Sequence, residues 1–133
     1  MSTLPGPEAA TPVFVYGTLR FPDVLRKLLG RVPESSPAVL PGWRPAALDG
    51  RPYPGLVPAE GEARGLLLRD LGPGEYRTLD EYEGPEYERR LLPLEDGSRA
   101  WAYVWTGDLV LDHDWCPDTF ARQGLATFLG RFA

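Results

Sequence analysis

Hydrophobic positions along the chain switch repeatedly between the strand period and the helix period. Val13-Phe14-Val15-Tyr16 is an unbroken apolar run, the pattern of a strand covered on both faces. It stops at Gly17-Thr18-Leu19-Arg20. Pro22 then opens a helix that carries Val24, Leu25, Leu28 and Leu29 on one side and closes at Gly30. Between Val39 and Leu48, Pro41-Gly42 and Pro45 interrupt the apolar residues, which predicts a bent or bulged strand anchored by Trp43. Tyr53-Pro54-Gly55-Leu56-Val57 reads as a turn leading into a short strand, and Ala63 to Leu71 as a second, buried strand around Gly65-Leu66-Leu67-Leu68.

From Glu75 to Glu83 the pattern becomes helical, with Tyr76 and Leu79 on an apolar stripe and Arg77, Thr78 and Glu81 facing away. Gly84-Pro85 ends this helix. Two strands follow, Tyr87 to Leu94 and Arg99 to Thr106, joined by the hairpin signal Glu95-Asp96-Gly97-Ser98. Trp101, Tyr103 and Trp105 share one face of the second, and Ala100, Ala102 and Val104 the other. A last helix is expected from about Pro117 to Phe132, docking through Ala121, Leu125, Phe128, Leu129 and Phe132. Strands outnumber helices and hairpin-like links dominate. The expected class is α+β, a small, strongly curved or closed sheet with helices packed outside it.

A chain of 133 residues is long enough for one real core and too short for two ordinary domains. The expected organisation is a loose tail over residues 1–12 and a single domain over residues 13–133 that includes the C-terminal helix. A net charge of −5 with no basic stripe argues against nucleic acid or an anionic membrane as partner. No apolar run approaches transmembrane length and no signal-peptide pattern opens the chain, so a cytoplasmic location is the expectation. Sequence alone leaves the oligomeric state open. Cys116 and His113 are the only cysteine and histidine. Asp112-His113-Asp114-Trp115-Cys116-Pro117-Asp118 matches no common metal spacing, and Pro117 with its flanking acids reads more simply as a helix start. No metal and no cofactor are expected.

Two places carry candidate chemistry. Projected on a helical wheel, Glu83 falls between Tyr76 and Leu79, so a carboxylate sits on the face that should be buried. Burial raises a carboxyl pKa towards neutrality, which suits a general acid/base. The bland alternative is a last-turn Glu paired with Arg89 or Arg90. The second place is the end of the first strand, where Gly17 can let successive N–H groups turn towards one point, with the Thr18 hydroxyl as a further donor: an anion cradle. Its bland alternative is an ordinary strand-to-helix turn.

Together, Val13-Phe14-Val15-Tyr16-Gly17-Thr18-Leu19, Tyr53-Pro54-Gly55 and Leu79-Asp80-x-Tyr82-Glu83-Gly84-x-x-Tyr87-x-Arg89 resemble the gamma-glutamylcyclotransferase-like superfamily, in particular its AIG2-like and gamma-glutamylamine cyclotransferase group. The resemblance implies a small mixed β-barrel with flanking helices. It also implies a site in which Tyr16, Gly17, Thr18 and Leu19 hold the alpha-carboxylate end of a gamma-glutamyl group and Glu83 is the acid/base. Tyr53 belongs to the second motif, and Tyr87 and Tyr103 are expected to bring at least one hydroxyl into the same pocket. The implied reaction is release of 5-oxoproline from a small gamma-glutamyl compound. A non-catalytic module binding a small ligand or a peptide terminus in the same pocket is the alternative, and a hydrolase pairing Glu83 with Asp80 or Glu86 a weaker one.

Overall fold

The computed structural model describes residues 11–130. Most of the tail expected over residues 1–12, and Phe132, lie outside the described residues. In chain order the elements are β1 (Val13–Val15), a short 3-10 turn (Thr18–Arg20), α1 (Pro22–Leu29), β2 (Ser35–Leu48), β3 (Gly55–Leu68), α2 (Pro73–Glu83), β4 (Tyr87–Pro93), β5 (Arg99–Trp105), β6 (Val110–Asp114), α3 (Pro117–Gln123) and α4 (Leu125–Leu129). The class is α+β, as the hydrophobic pattern indicates.

The six strands form one mixed sheet in the order β4-β5-β1-β3-β2-β6. β1 pairs antiparallel with β3, Phe14 opposite Leu67, and parallel with β5, Phe14 opposite Ala102. The sheet curls until β3, separated from β5 by β1 along the sheet, also pairs with β5 directly, Leu56 beside Val104. A strand can reach across its neighbour in this way only if the sheet bends. In β2 the ladder shifts register between Pro41 and Trp43, and Gly42 there has a φ of 87°. Gly61, on the facing stretch of β3, has a φ of 100°. Both values are accessible to glycine at little cost, so the β2–β3 ribbon folds over at these residues and the sheet becomes a half-closed barrel.

The curl creates two cores. Inside it pack Phe14, Tyr16, Leu40, Leu56, Leu67, Ala102 and Val104. Outside it Val13, Val15, Leu68 and Tyr103 meet Val24 and Leu25 of α1, Tyr76 and Leu79 of α2, and Phe120 and Phe128 of the C-terminal helices. The alternation of β1 and β5 between these cores is the period-two pattern of their sequences. Such burial on both faces is what makes short strands hold.

Three sequence expectations change. The segments expected as separate strands around residues 53–57 and 63–71 are one strand of 14 residues, because both halves pair with β2, on either side of the irregularity that falls at the exposed residues Glu60 to Glu62. The last helix is two helices broken at Gly124, and Phe120 rather than Ala121 takes the buried position. β6 is an additional edge strand with mostly exposed side chains, pairing with β2 at Leu48 and Ala46. A strand recruited through its backbone alone leaves little hydrophobic signal.

Candidate active site

β1 ends under α2, and the chain beyond it forms one wall of a cavity of about 200 Å³. Its lining includes Tyr16, Gly17, Thr18 and Leu19 after β1, Tyr53 and Pro54 before β3, Tyr82 and Glu83 at the end of α2, and Tyr87 and Tyr103 of the β4–β5 hairpin. All eight expected site residues therefore line one hollow. Its volume lies below the roughly 300–1,000 Å³ of sites for drug-sized ligands, so it suits a group the size of one amino acid.

The turn presents backbone donors. Its ladder starts with Arg20 N–H to Gly17 O at 3.0 Å and Phe21 N–H to Thr18 O at 3.2 Å, so the amides of Gly17, Thr18 and Leu19 lie ahead of the first bond. The reason for glycine differs from the expected one. Gly17 has a negative φ, but a Cβ there would stand 2.7 Å and 2.8 Å from Cγ and Cδ of Pro54. Close approach of the two loops, rather than a left-handed backbone, excludes a side chain.

Glu83 occupies the last turn of α2, which Gly84 ends with a φ of 81° and an N–H that donates to Asp80 O. As a residue Glu83 is partly exposed, but its carboxyl head is enclosed by protein. The resulting loss of hydration pushes its pKa up to about 8. The negative end of the α2 dipole acts in the same direction. The ion pairs expected in the bland alternative form elsewhere: Arg89 with Asp80 at 3.5 Å, and Arg90 with Glu88 at 3.8 Å.

The tyrosines are held by their hydroxyls. Tyr16 donates to the carbonyl of Tyr103 at 2.6 Å and accepts the Leu56 amide at 3.2 Å, tying the ends of β1, β5 and β3 together. Tyr87 donates to Pro54 O and Tyr103 to Asp80 Oδ1, each at 2.6 Å. With their single protons so placed, Tyr87 and Tyr103 can only accept from the Glu83 carboxyl group. Burial, and after it the nearby Glu83 charge, raises the pKa of Tyr16; for Tyr87 burial is followed by Tyr16 and then Glu83, and for Tyr103 burial is followed by Asp80. All three stay protonated. Thr18 Oγ1 and the Tyr82 hydroxyl share a hydrogen bond of 2.6 Å.

Asp80 and Glu86, the second acids of the hydrolase alternative, are absent from the lining: Asp80 is engaged by Tyr103, and Glu86 by Arg51 at 2.8 Å. Phe14, Val15, Pro54, Tyr82 and Phe128 line the cavity as well, without being among the residues expected from the sequence. The first four stand inside the motifs themselves, whereas Phe128 shows in the sequence only a place on a docking face. Among the described residues, no group of three or more His, Cys, Asp or Glu side chains is placed to hold a metal, and no helix is long and apolar enough to cross a membrane.

Comparison with known proteins agrees with this fold. The family profile described as gamma-glutamyl cyclotransferase, AIG2-like matches residues 13–117. AIG2-like protein B of Arabidopsis thaliana is 35% identical over 128 residues, covering 90% of this chain and 74% of that protein. AIG2-like protein A of the same plant is 43% identical over 99 residues, covering 70% of this chain but 60% of its own length. The chain thus spans about three fifths to three quarters of these relatives. Two solution structures of Arabidopsis thaliana proteins share the fold. One has a TM-score of 0.69 at 34% identity, covering 98% of this chain and 91% of the other. The second has a TM-score of 0.71 at 27% identity, covering 99% and 83%.

Proposed function

The chain belongs to the gamma-glutamyl cyclotransferase, AIG2-like family, and from that premise we propose that its cavity carries out intramolecular aminolysis of a small gamma-glutamyl compound. The substrate's alpha-amine attacks its own gamma-carbonyl, a C–N bond forms as a five-membered ring closes, and the original amide C–N bond breaks. The products are 5-oxoproline and an amine or amino acid. The observation that carries this reading is the Glu83 carboxyl group, enclosed in the cavity wall with its pKa raised to about 8.

An ammonium is no nucleophile, and an amide nitrogen leaves poorly until it is protonated. Two protons must leave the attacking nitrogen and two must reach the departing one, so the count closes without an outside acid. A chain-terminal ammonium titrates at about 7.7–8.0, and the substrate's, beside a free alpha-carboxylate, somewhat higher; a carboxyl group with a pKa near 8 is far closer to it than an ordinary carboxyl, so moving a proton between them is only modestly uphill. Glu83 is therefore suited to take protons from one nitrogen and hand them to the other. The amides of Gly17, Thr18 and Leu19 offer donors for the alpha-carboxylate, which would hold the glutamyl group folded and favour ring closure by proximity. No redox step or hydrolytic water enters, and none of the chain's residues is asked to form a covalent bond.

Incubation of the purified protein with gamma-glutamyl dipeptides, glutathione and gamma-glutamyl-epsilon-lysine, followed by assay of 5-oxoproline, tests the reading. Release from at least one is expected. A well-folded protein that turns over none of them points instead to a non-catalytic binding module on the same fold.

A further inference from the structure

The reaction cavity holds little more than a glutamyl group, so the leaving group must project past its rim. The rim at Tyr53 is backed by a cation. Arg51 Nη1 donates to the Tyr53 hydroxyl at 2.5 Å and to Glu86 Oε1 at 2.8 Å, and Nη2 donates to Glu86 Oε2 at 3.4 Å. The guanidinium lies 5.7 Å from the Tyr53 ring centroid and 5.8 Å from that of Trp105. Glu86 and the two rings thus fix the plane of the fork, and its hydrogen bond to Glu86 raises the Arg51 pKa further, so the charge is permanent. A guanidinium has five N–H donors. Three are used by Tyr53 and Glu86; the Nε–H and one Nη2 proton remain, on a side chain 30% exposed. Beyond it, Arg51 and Pro52 line a second, more open hollow of about 440 Å³ with Trp115, Thr119 and Gln123. The loop from Arg51 to Pro54 therefore separates the reaction cavity from a space that can receive the rest of a substrate.

We infer that Arg51, oriented by Glu86, reads a carboxylate on the leaving group, so that the preferred substrates are gamma-glutamyl amino acids rather than gamma-glutamyl derivatives of simple amines. The chemistry of the two substrate classes favours this. A gamma-glutamyl amino acid carries two carboxylates and one ammonium, and it must approach a chain with a net charge of −5. Arg51, although Glu86 balances its charge, keeps directional donors at the rim for the second carboxylate. An amine leaving group gains nothing from it. The structural alternative, in which Arg51 only ties its loop to Glu86, leaves the carboxylate unread.

This assignment rests on the cyclotransferase reading, and the test separates the two. Gamma-glutamyl-alanine and N5-ethylglutamine differ by one carboxylate on the leaving group. Their affinities are measured by calorimetry on Glu83→Gln protein, which cannot pass the proton, with Arg51 intact, as Arg51→Gln and as Arg51→Lys; 5-oxoproline release is followed on the parent. With Arg51 intact, gamma-glutamyl-alanine should bind about ten- to a hundredfold tighter, the range of a hydrogen bond to a charged group. That ratio should fall towards one in Arg51→Gln and partway in Arg51→Lys, which keeps the charge but not the fork. If Arg51→Gln does not fold, the Lys variant decides. A ratio near one with Arg51 in place, or one that survives both substitutions, overturns the inference. Absent turnover with the ratio behaving as expected refutes the enzyme and leaves Arg51 as the reader of a bound ligand. Failure of a folded protein to bind either compound overturns both.

Discussion

Replacing Glu83 by Gln keeps the size of the side chain and most of its hydrogen-bonding shape but removes the proton it can carry. The folded protein holds that proton up to about pH 8, whereas an ordinary glutamate carboxyl loses it near 4.5. Between these values the folded state binds more protons than the unfolded one, so the Glu83 contribution to stability falls as pH rises through the window. Below it both states are protonated and nothing is lost; above it the loss is complete. At about 1.36 kcal/mol per unit, the gap amounts to roughly 3 kcal/mol by pH 7, and hydration through the cavity mouth trims this to about 2–3 kcal/mol. Urea unfolding of both proteins at pH 4, 7 and 8.5 should therefore show Glu83→Gln gaining that much on the parent between pH 4 and pH 7, with little further change above pH 8.5. In the same preparations 5-oxoproline release should fall by about 10²–10⁴, the range for a positioned proton carrier. The parent's kcat/KM should be bell-shaped around pH 8, because the productive complex has one proton shared between Glu83 and the alpha-amine. A Glu83 paired with a cation predicts the opposite sign, with the variant losing stability above pH 4.5 or so. Parallel stability curves would refute the desolvated carboxyl, and a stable variant that cyclises at the parental rate would refute the acid/base.

Other substitutions probe the walls. Gly17→Ala places a methyl group 2.7–2.8 Å from the Pro54 ring; it should cost about 1–3 kcal/mol in urea unfolding and weaken ligand binding, since the turn and the Tyr53 rim must separate. Tyr16→Phe leaves the Tyr103 carbonyl and the Leu56 amide without their shared hydroxyl inside the core; a loss of about 1–3 kcal/mol is expected, and a neutral result would show that the strand ends need no tie. Tyr103→Phe removes the bond to Asp80 Oδ1, whose carboxylate is 44% exposed and can be rehydrated. Stability should change by about 1 kcal/mol or less, and a larger fall in kcat at near-constant KM would mark Tyr103 as an acceptor for the Glu83 proton.

Much of the site was legible in the chain because its pieces are local. The helical phase of Glu83 relative to Tyr76 and Leu79, the Gly84-Pro85 stop, the alternation along β5 and the Gly17 turn each follow from the geometry of one element, and one element's geometry is written in a dozen consecutive residues. What the tertiary structure alone decided concerns meetings between segments far apart in sequence. Gly17 is glycine because Pro54 lies against it. The Tyr16 hydroxyl serves three strands, and Asp80 and Glu86 face partners other than Glu83. Arg51 stands at the rim because β3 bends at Gly61 and meets β5 at Val104. Period and turn chemistry say which face of a strand is covered, but not by what. That depends on register and on closure of the sheet, which are properties of the paired backbone rather than of any single stretch. β6 was invisible for the same reason, since an edge strand held by main-chain bonds needs no apolar side chains to announce it.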